Sequence, residues 1–284
     1  FLAGVNKHRP FDAIWFVASP CLLLTAYINW DLLAVACLAG ALWAWSQGRP
    51  ILAGAFLGLG TAVKLYPLFL LGALLVVCLR QRRLAAFAQA VAAALITWVV
   101  VNAPAWITGM EQWKVFWRFN TDRGPDLGSL WLAGSLLGHT ASAETVNLVS
   151  WVAFAVACVV VLILGLRSPN QPRIAQLGFL ILAAFLIVNK VYSPQYVLWL
   201  LPVGVLARPR WRDQIVWQSC ELVYFAAVWL YLGGFTASAT TGAPDPAYLA
   251  AIGIRIAGEI YLAAMIVRDM YAVRRPQALR TALK

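Results

Sequence analysis

A chain of 284 residues that is 62% hydrophobic, only 12% charged and of mean hydropathy +0.77 carries more apolar surface than a soluble domain of this size can hide. A formal net charge of +11 would direct a soluble protein toward nucleic acid. Here the basic residues collect in short breaks between apolar segments, which is a topology signal and excludes that partner. The expected fold is an all-α, polytopic integral membrane protein with about ten membrane segments, several of them short broken-helix hairpins. Residues 1–284 then form a single transmembrane domain in contact with membrane lipids. The chain starts at Phe1 without an initiator methionine or a signal-peptide pattern, and is read as lacking the N-terminal part of a longer protein.

After the basic start Asn6-Lys7-His8-Arg9-Pro10, the first apolar segment runs from Phe11 to Ile28 and is broken by Pro20. Asn29-Trp30-Asp31 interrupts it, and Leu32 to Trp45 returns toward Arg49. A hydrocarbon core about 30 Å thick needs about 20 apolar residues in a straight helix, so this return arm is too short to span. Basic ends and a polar tip describe a half-span hairpin, with Asp31 at the tip. The next segment, Ile51 to Leu79, is long for one helix and short for two, and reads Gly54-x3-Gly58-x-Gly60-x3-Lys64-Leu65-Tyr66-Pro67 in its middle. Proline predicts a break near Tyr66 that leaves Lys64 at a second tip, and the glycines predict close packing against a neighbour.

Leu84 to Val101 is expected to cross outward and end at Asn102-Ala103-Pro104. Residues 103–145 then read as an extracytoplasmic loop in which Trp106, Trp113, Phe116, Trp117 and Phe119 are interleaved with charge. Such a loop is an interfacial anchor or, at this length, a flap that contributes Asp122, Arg123 and Asp126 to a site. Val146 to Leu166 returns to a basic break at 167–173. Ile174–Val188 and Val197–Ala207 form a third half-span hairpin, basic at Arg173 and at Arg208, Arg210 and Arg212, whose tip holds Asn189, Lys190, Tyr192, Ser193, Gln195 and Tyr196. Gln214 to Gly233 goes out, Phe235 to Pro246 forms a small polar loop, and Tyr248 to Val267 comes back to a tail carrying Arg268, Arg274, Arg275, Arg280 and Lys284. Positive charge gathers on the cytoplasmic side, so both termini are expected there and the three tips opposite.

Ionised groups in hydrocarbon are normally paired or turned to water, which makes Asp31, Lys64 and Lys190 site candidates; snorkelling to the interface is the plainer alternative. Half-span hairpins also leave backbone polar groups at membrane depth, tolerated only beside protein or water, so the tips are expected to surround a hydrated cavity. Two lysines there favour an anion. Arg255 and Glu259 predict an i,i+4 ion pair, or an interhelical pairing with Glu221. Cys21, Cys37, Cys78, Cys158 and Cys220 lie in apolar runs and read as small core residues, and neither His8 nor His139 has a second histidine at ligand spacing, so no metal site is read. Broken helices meeting at a polar cavity also describe a transporter or flippase for an anionic or polyprenyl-linked substrate, which stands as the alternative function.

Four stretches carry a resemblance: Asn29-Trp30-Asp31-Leu32-Leu33, Gly58-Leu59-Gly60-Thr61-Ala62-Val63-Lys64-Leu65-Tyr66-Pro67, Arg123-Gly124-Pro125-Asp126-Leu127-Gly128-Ser129-Leu130-Trp131, and Ser193-Pro194-Gln195-Tyr196. Together they resemble glycosyltransferase family 87, membrane enzymes of the GT-C fold, in its actinobacterial form. The resemblance implies transfer of one sugar, usually mannose, from a polyprenyl-phosphate carrier to a lipid or glycan acceptor at the outer face of the plasma membrane, with inversion. It implies that Lys64, with Lys190 and Arg123, meets the donor phosphate, that Asn29, Tyr66, Asn189, Tyr192, Ser193, Gln195 and Tyr196 bind substrate, and that a carboxylate acts as base. GT-C enzymes commonly keep that acid in a first outer loop lying upstream of Phe1, so Asp31, Asp122 and Asp126 are the outward-side acids this chain offers. It also lacks the histidines that some relatives carry near Gln195-Tyr196. No cofactor follows from the resemblance, and a divalent-metal requirement is left open.

Overall fold

In hydrocarbon a backbone must satisfy its own N–H and C=O groups, so long apolar runs become helices. The computed structural model describes residues 1–5, 9–236 and 245–272, and among these every regular element is helical. Lys7, His8, Arg274, Arg275, Arg280, Lys284 and most of the 235–246 loop lie outside the described residues. The helices are α1 (Leu2–Val5), α2 (Ile14–Val17), α3 (Pro20–Thr25), α4 (Asp31–Ser46), α5 (Pro50–Val63), α6 (Leu70–Gln81), α7 (Leu84–Asp122), α8 (Leu130–Leu136), α9 (Ala143–Arg167), α10 (Ile174–Val188), α11 (Val197–Ala207), α12 (Trp211–Leu232) and α13 (Pro246–Tyr271), with single 3-10 turns at Pro10–Ala13, Tyr66–Phe69 and Pro194–Tyr196.

Four of them, α7, α9, α12 and α13, are long and apolar enough to cross a membrane, and five shorter apolar helices accompany them. The short ones form the inside of the bundle. Every residue of α11 is buried, as is most of α10, whereas α9 turns Leu148, Val149, Val152, Val156 and Val159 outward. A helix that stops at membrane depth leaves unpaired carbonyls and amides, and enclosure by neighbours is what makes that stop tolerable. At the far ends of the hairpins arginines supply the missing donors. Arg80 reaches the Gly165 and Ser168 carbonyl oxygens at 2.9 and 2.6 Å, and Arg173 donates to the carbonyls of Leu206 and Ala207. Arg208 is held between Asp213 and Asp269 at 2.6 and 2.5 Å. Residues read from the sequence as topology markers therefore also cap helix ends.

The break expected near Tyr66 is present: α5 ends at Val63, Lys64 is extended, and a 3-10 turn over Tyr66–Phe69 precedes α6. The glycines of α5 meet α7 backbone to backbone. A Cβ on Gly54 would lie 2.1 Å from the Ala90 carbonyl oxygen, and one on Gly58 2.3 Å from that of Ala94, so the Gly-x3-Gly spacing matches Ala90-x3-Ala94.

The end of regular structure expected at Asn102-Ala103-Pro104 is corrected. Helix α7 passes through Pro104 and continues to Asp122, bending instead at Gly109, the non-helical residue within it. Side chains carry the chain across the bend: Trp113 donates its indole N–H to Asn102 Oδ1 at 2.8 Å, and the rings of Trp98, Trp106 and Trp113 pack edge to face at 5.5–6.4 Å. Much of the stretch expected as an irregular loop is thus helix, and only 123–129 and the residues around 137–142 are loop.

Candidate functional site

Two of the three polar tips meet. The Lys64 ammonium, at the break after α5, lies 3.6 Å from the Asp31 carboxylate at the start of α4. Asp31 is fully buried, while the Lys64 side chain stays 19% exposed. Asp31 Oδ1 accepts the indole N–H of Trp199 at 2.6 Å, and Oδ2, which faces Lys64, has no hydrogen-bond partner. Trp199 comes from the third hairpin, and its ring stacks on Tyr66 at 4.3 Å and on Tyr196 at 3.9 Å. One carboxylate therefore gathers all three hairpins. The 123–129 loop lies against the tip of that third hairpin.

That loop is anchored from several directions. Asp126 N donates to the Lys190 carbonyl at 2.8 Å and Tyr192 N to the Leu127 carbonyl at 2.7 Å, a short pairing of the loop with the third tip. Gly128 adopts φ +69°, and a Cβ there would lie 2.1 Å from the Tyr224 hydroxyl. Its N–H donates to the Tyr248 hydroxyl at 2.9 Å and its carbonyl accepts from Arg255 at 3.0 Å. Arg255, fully buried, also pairs with Glu259 at 3.0 Å, as the i,i+4 spacing predicts, and lies 3.7 Å from the centre of the Tyr192 ring. Glu221 does not join that ion pair; it accepts from Tyr192 and Trp217 at 2.8 and 3.1 Å.

The remaining candidates divide into those that line the site and those that build it. Arg123 and Asp126 form a half-exposed ion pair, Ser193 and Tyr196 are half-buried, and Asn29 stands beside Asp31. Asp122 ends α7 exposed to solvent. Tyr66 and Tyr192 are sealed inside the bundle, and buried Gln195 is engaged by Ser193 at 2.6 Å. These three lie behind the open surface of the site, and Asn189 is turned onto the Val191 carbonyl.

Lys190 requires a correction. Its ammonium donates to the Asn120 carbonyl, the Arg123 carbonyl and Asn147 Oδ1 at 2.6, 2.7 and 2.6 Å. An ammonium has three donors and all are committed, so this lysine ties the end of α7 and its loop to α9 and offers nothing to a phosphate. Burial lowers its proton affinity below that of an ordinary lysine, the Arg123 charge lowers it further, and Asp122 opposes both. Lys190→Met is expected to destabilise the protein by about 1–3 kcal/mol through the orphaned acceptors and to expose residues 120–126 to protease. A loop as resistant as the native one would refute that role.

Sequence reasoning missed Trp199, although it lies one helical turn beyond Tyr196 and so on the same face. It also missed Tyr224, Tyr248 and Gly128 as partners, because their contacts join residues about a hundred positions apart. Away from the charged groups, a cavity of about 330 Å³ is lined only by apolar residues, among them Leu68, Phe69, Phe154, Leu162 and Ile181.

A family model described as Glycosyltransferase family 87 matches residues 6–189. That range contains Asp31, Lys64, Arg123 and Asp126 and ends just before Lys190. No curated protein and no solved structure matches the chain.

Proposed function

The chain belongs to glycosyltransferase family 87, and from that premise we propose that this membrane glycosyltransferase moves mannose from a polyprenyl-phosphate carrier to a lipid or glycan acceptor on the extracytoplasmic face. The observation that carries the proposal is the Lys64–Asp31 pair: a partly exposed ammonium at a helix break, oriented by a carboxylate that is itself fixed by Trp199. A cation at membrane depth suits an anion that stays in the bilayer, and nucleotide sugars do not reach the outer face. The distribution of basic residues supports that side for the tips.

The reaction is a single displacement. An acceptor hydroxyl oxygen bonds to the anomeric carbon as the bond from that carbon to the phosphate oxygen breaks, which inverts the configuration. Polyprenyl phosphate leaves with the bonding pair, and Lys64 with Arg123 stabilises the charge that gathers on it. The hydroxyl proton passes to a carboxylate. Asp31 is sealed and acts through Lys64, so the half-exposed Asp126 and the exposed Asp122 are the acids open to an acceptor.

The test supplies the full protein, in detergent, with radiolabelled polyprenyl-phosphate mannose and lipid acceptors. Labelled acceptor is the expected product. Movement of the carrier between leaflets of a reconstituted vesicle, with no transfer to any acceptor, would replace this reading with the transporter.

A further inference from the structure

We propose that the indole of Trp30 is the platform on which the donor's pyranose ring lies while its phosphate meets Lys64, an inference that rests on the proposed reading of Lys64. Trp30 is 62% exposed. It sits at the N-cap of α4, immediately before Asp31, with its backbone N–H held by the Asn29 carboxamide at 2.7 Å. Among the described residues its one recorded ring contact is the Lys64 ammonium, 5.0 Å from the ring centre. The tyrosine rings of the site are spoken for: Tyr66 and Tyr196 each stack on Trp199, and Tyr192 is sealed beneath Arg255. Trp30 alone among these aromatics combines contact with Lys64 and an open surface.

The geometry fits a sugar joined to a phosphate. The Lys64 ammonium lies over the indole, 5.0 Å from its ring centre, so a phosphate paired with that ammonium holds the attached sugar beside the same ring. An aromatic face is electron-rich and attracts positively polarised hydrogens. A pyranose offers one face of such C–H groups and keeps its hydroxyls at the rim, free for polar partners. The smaller, puckered furanose has no comparable flat face, so the platform selects pyranosyl over furanosyl donors. The cation–π contact also holds the indole in place before the sugar arrives.

The experiment measures equilibrium binding of three carriers to the full protein in detergent: polyprenyl-phosphate mannose, a polyprenyl-phosphate furanose, and bare polyprenyl phosphate. Trp30→Ala is expected to weaken the mannosyl carrier about tenfold while changing the bare and furanosyl carriers less than about twofold, and Trp30→Phe is expected to restore part of the loss. Equal weakening of all three carriers would overturn the proposal, since Trp30 would then act only through Lys64 or as a membrane anchor. Unchanged binding of the mannosyl carrier would overturn it as well. Failure of the native protein to bind any carrier, or binding insensitive to Lys64→Ala, would instead remove the donor reading itself and this inference with it.

Discussion

Lys64→Ala is expected to lower the rate of sugar transfer by about two to three orders of magnitude, with most of the loss in kcat. The ammonium is matched to charge that grows on the departing phosphate, and an interaction stronger in the transition state than in the ground state appears in the rate rather than in KM. Lys64→Arg keeps the charge and is expected to retain part of the activity, because a guanidinium is larger and disturbs the 3.6 Å approach to Asp31. The alanine variant also leaves Asp31 buried without its cation, so a lost fold could be mistaken for lost chemistry. Lys64→Ala with Asp31→Asn removes that ambiguity: the carboxamide still accepts from Trp199 and carries no charge. The double variant is expected to melt close to the native protein and to stay inactive. Transfer at the native rate by either variant would take Lys64 out of the mechanism.

The second large effect is on stability. Arg255→Met is expected to cost about 3–5 kcal/mol, the range for removing one partner of a buried ion pair. Arg255 and Glu259 are both fully buried, and Glu259 Oε2 already has no hydrogen-bond partner, so the variant strands a charge in the bundle. It strands the Gly128 carbonyl as well. Neutralising the partner with Glu259→Gln in the Arg255→Met background is expected to recover most of the melting temperature. It does not restore the hydrogen bond to Gly128, so the loop bearing Asp126 stays loose and transfer stays slow. Thermal unfolding in detergent and initial rates on the same preparations separate the two roles. A single variant that melts with the native protein would show that this ion pair contributes nothing to the fold.

Lys190 shows how far a sequence can mislead about a charge. Its position at a polar tip gave it the same credentials as Lys64, yet its three N–H groups are consumed by Asn120, Arg123 and Asn147. Nothing in the local sequence distinguishes a lysine facing a ligand from one facing carbonyls seventy residues away. The Trp-rich stretch misled differently. Pro104 is a sound reason to end a helix, but the helix runs on through it, with Trp98 and Trp106 packed across Pro104 and Trp106 and Trp113 across Gly109.

The apolar composition by itself determined that this chain is helical and lies in a membrane, because hydrocarbon accepts only backbones that satisfy themselves. Gly54, Gly58, Tyr66 and Pro67 likewise determined a close helix contact and a helix break, since both follow from what a residue does to its own backbone. Only the tertiary structure decided that Asp31 faces Lys64 and Trp199, that Arg255 holds Gly128, and that Lys190 is a tie. Each of these depends on which distant groups share a small dry volume, where the energy of a charge is set by its neighbours in space and not by those in sequence.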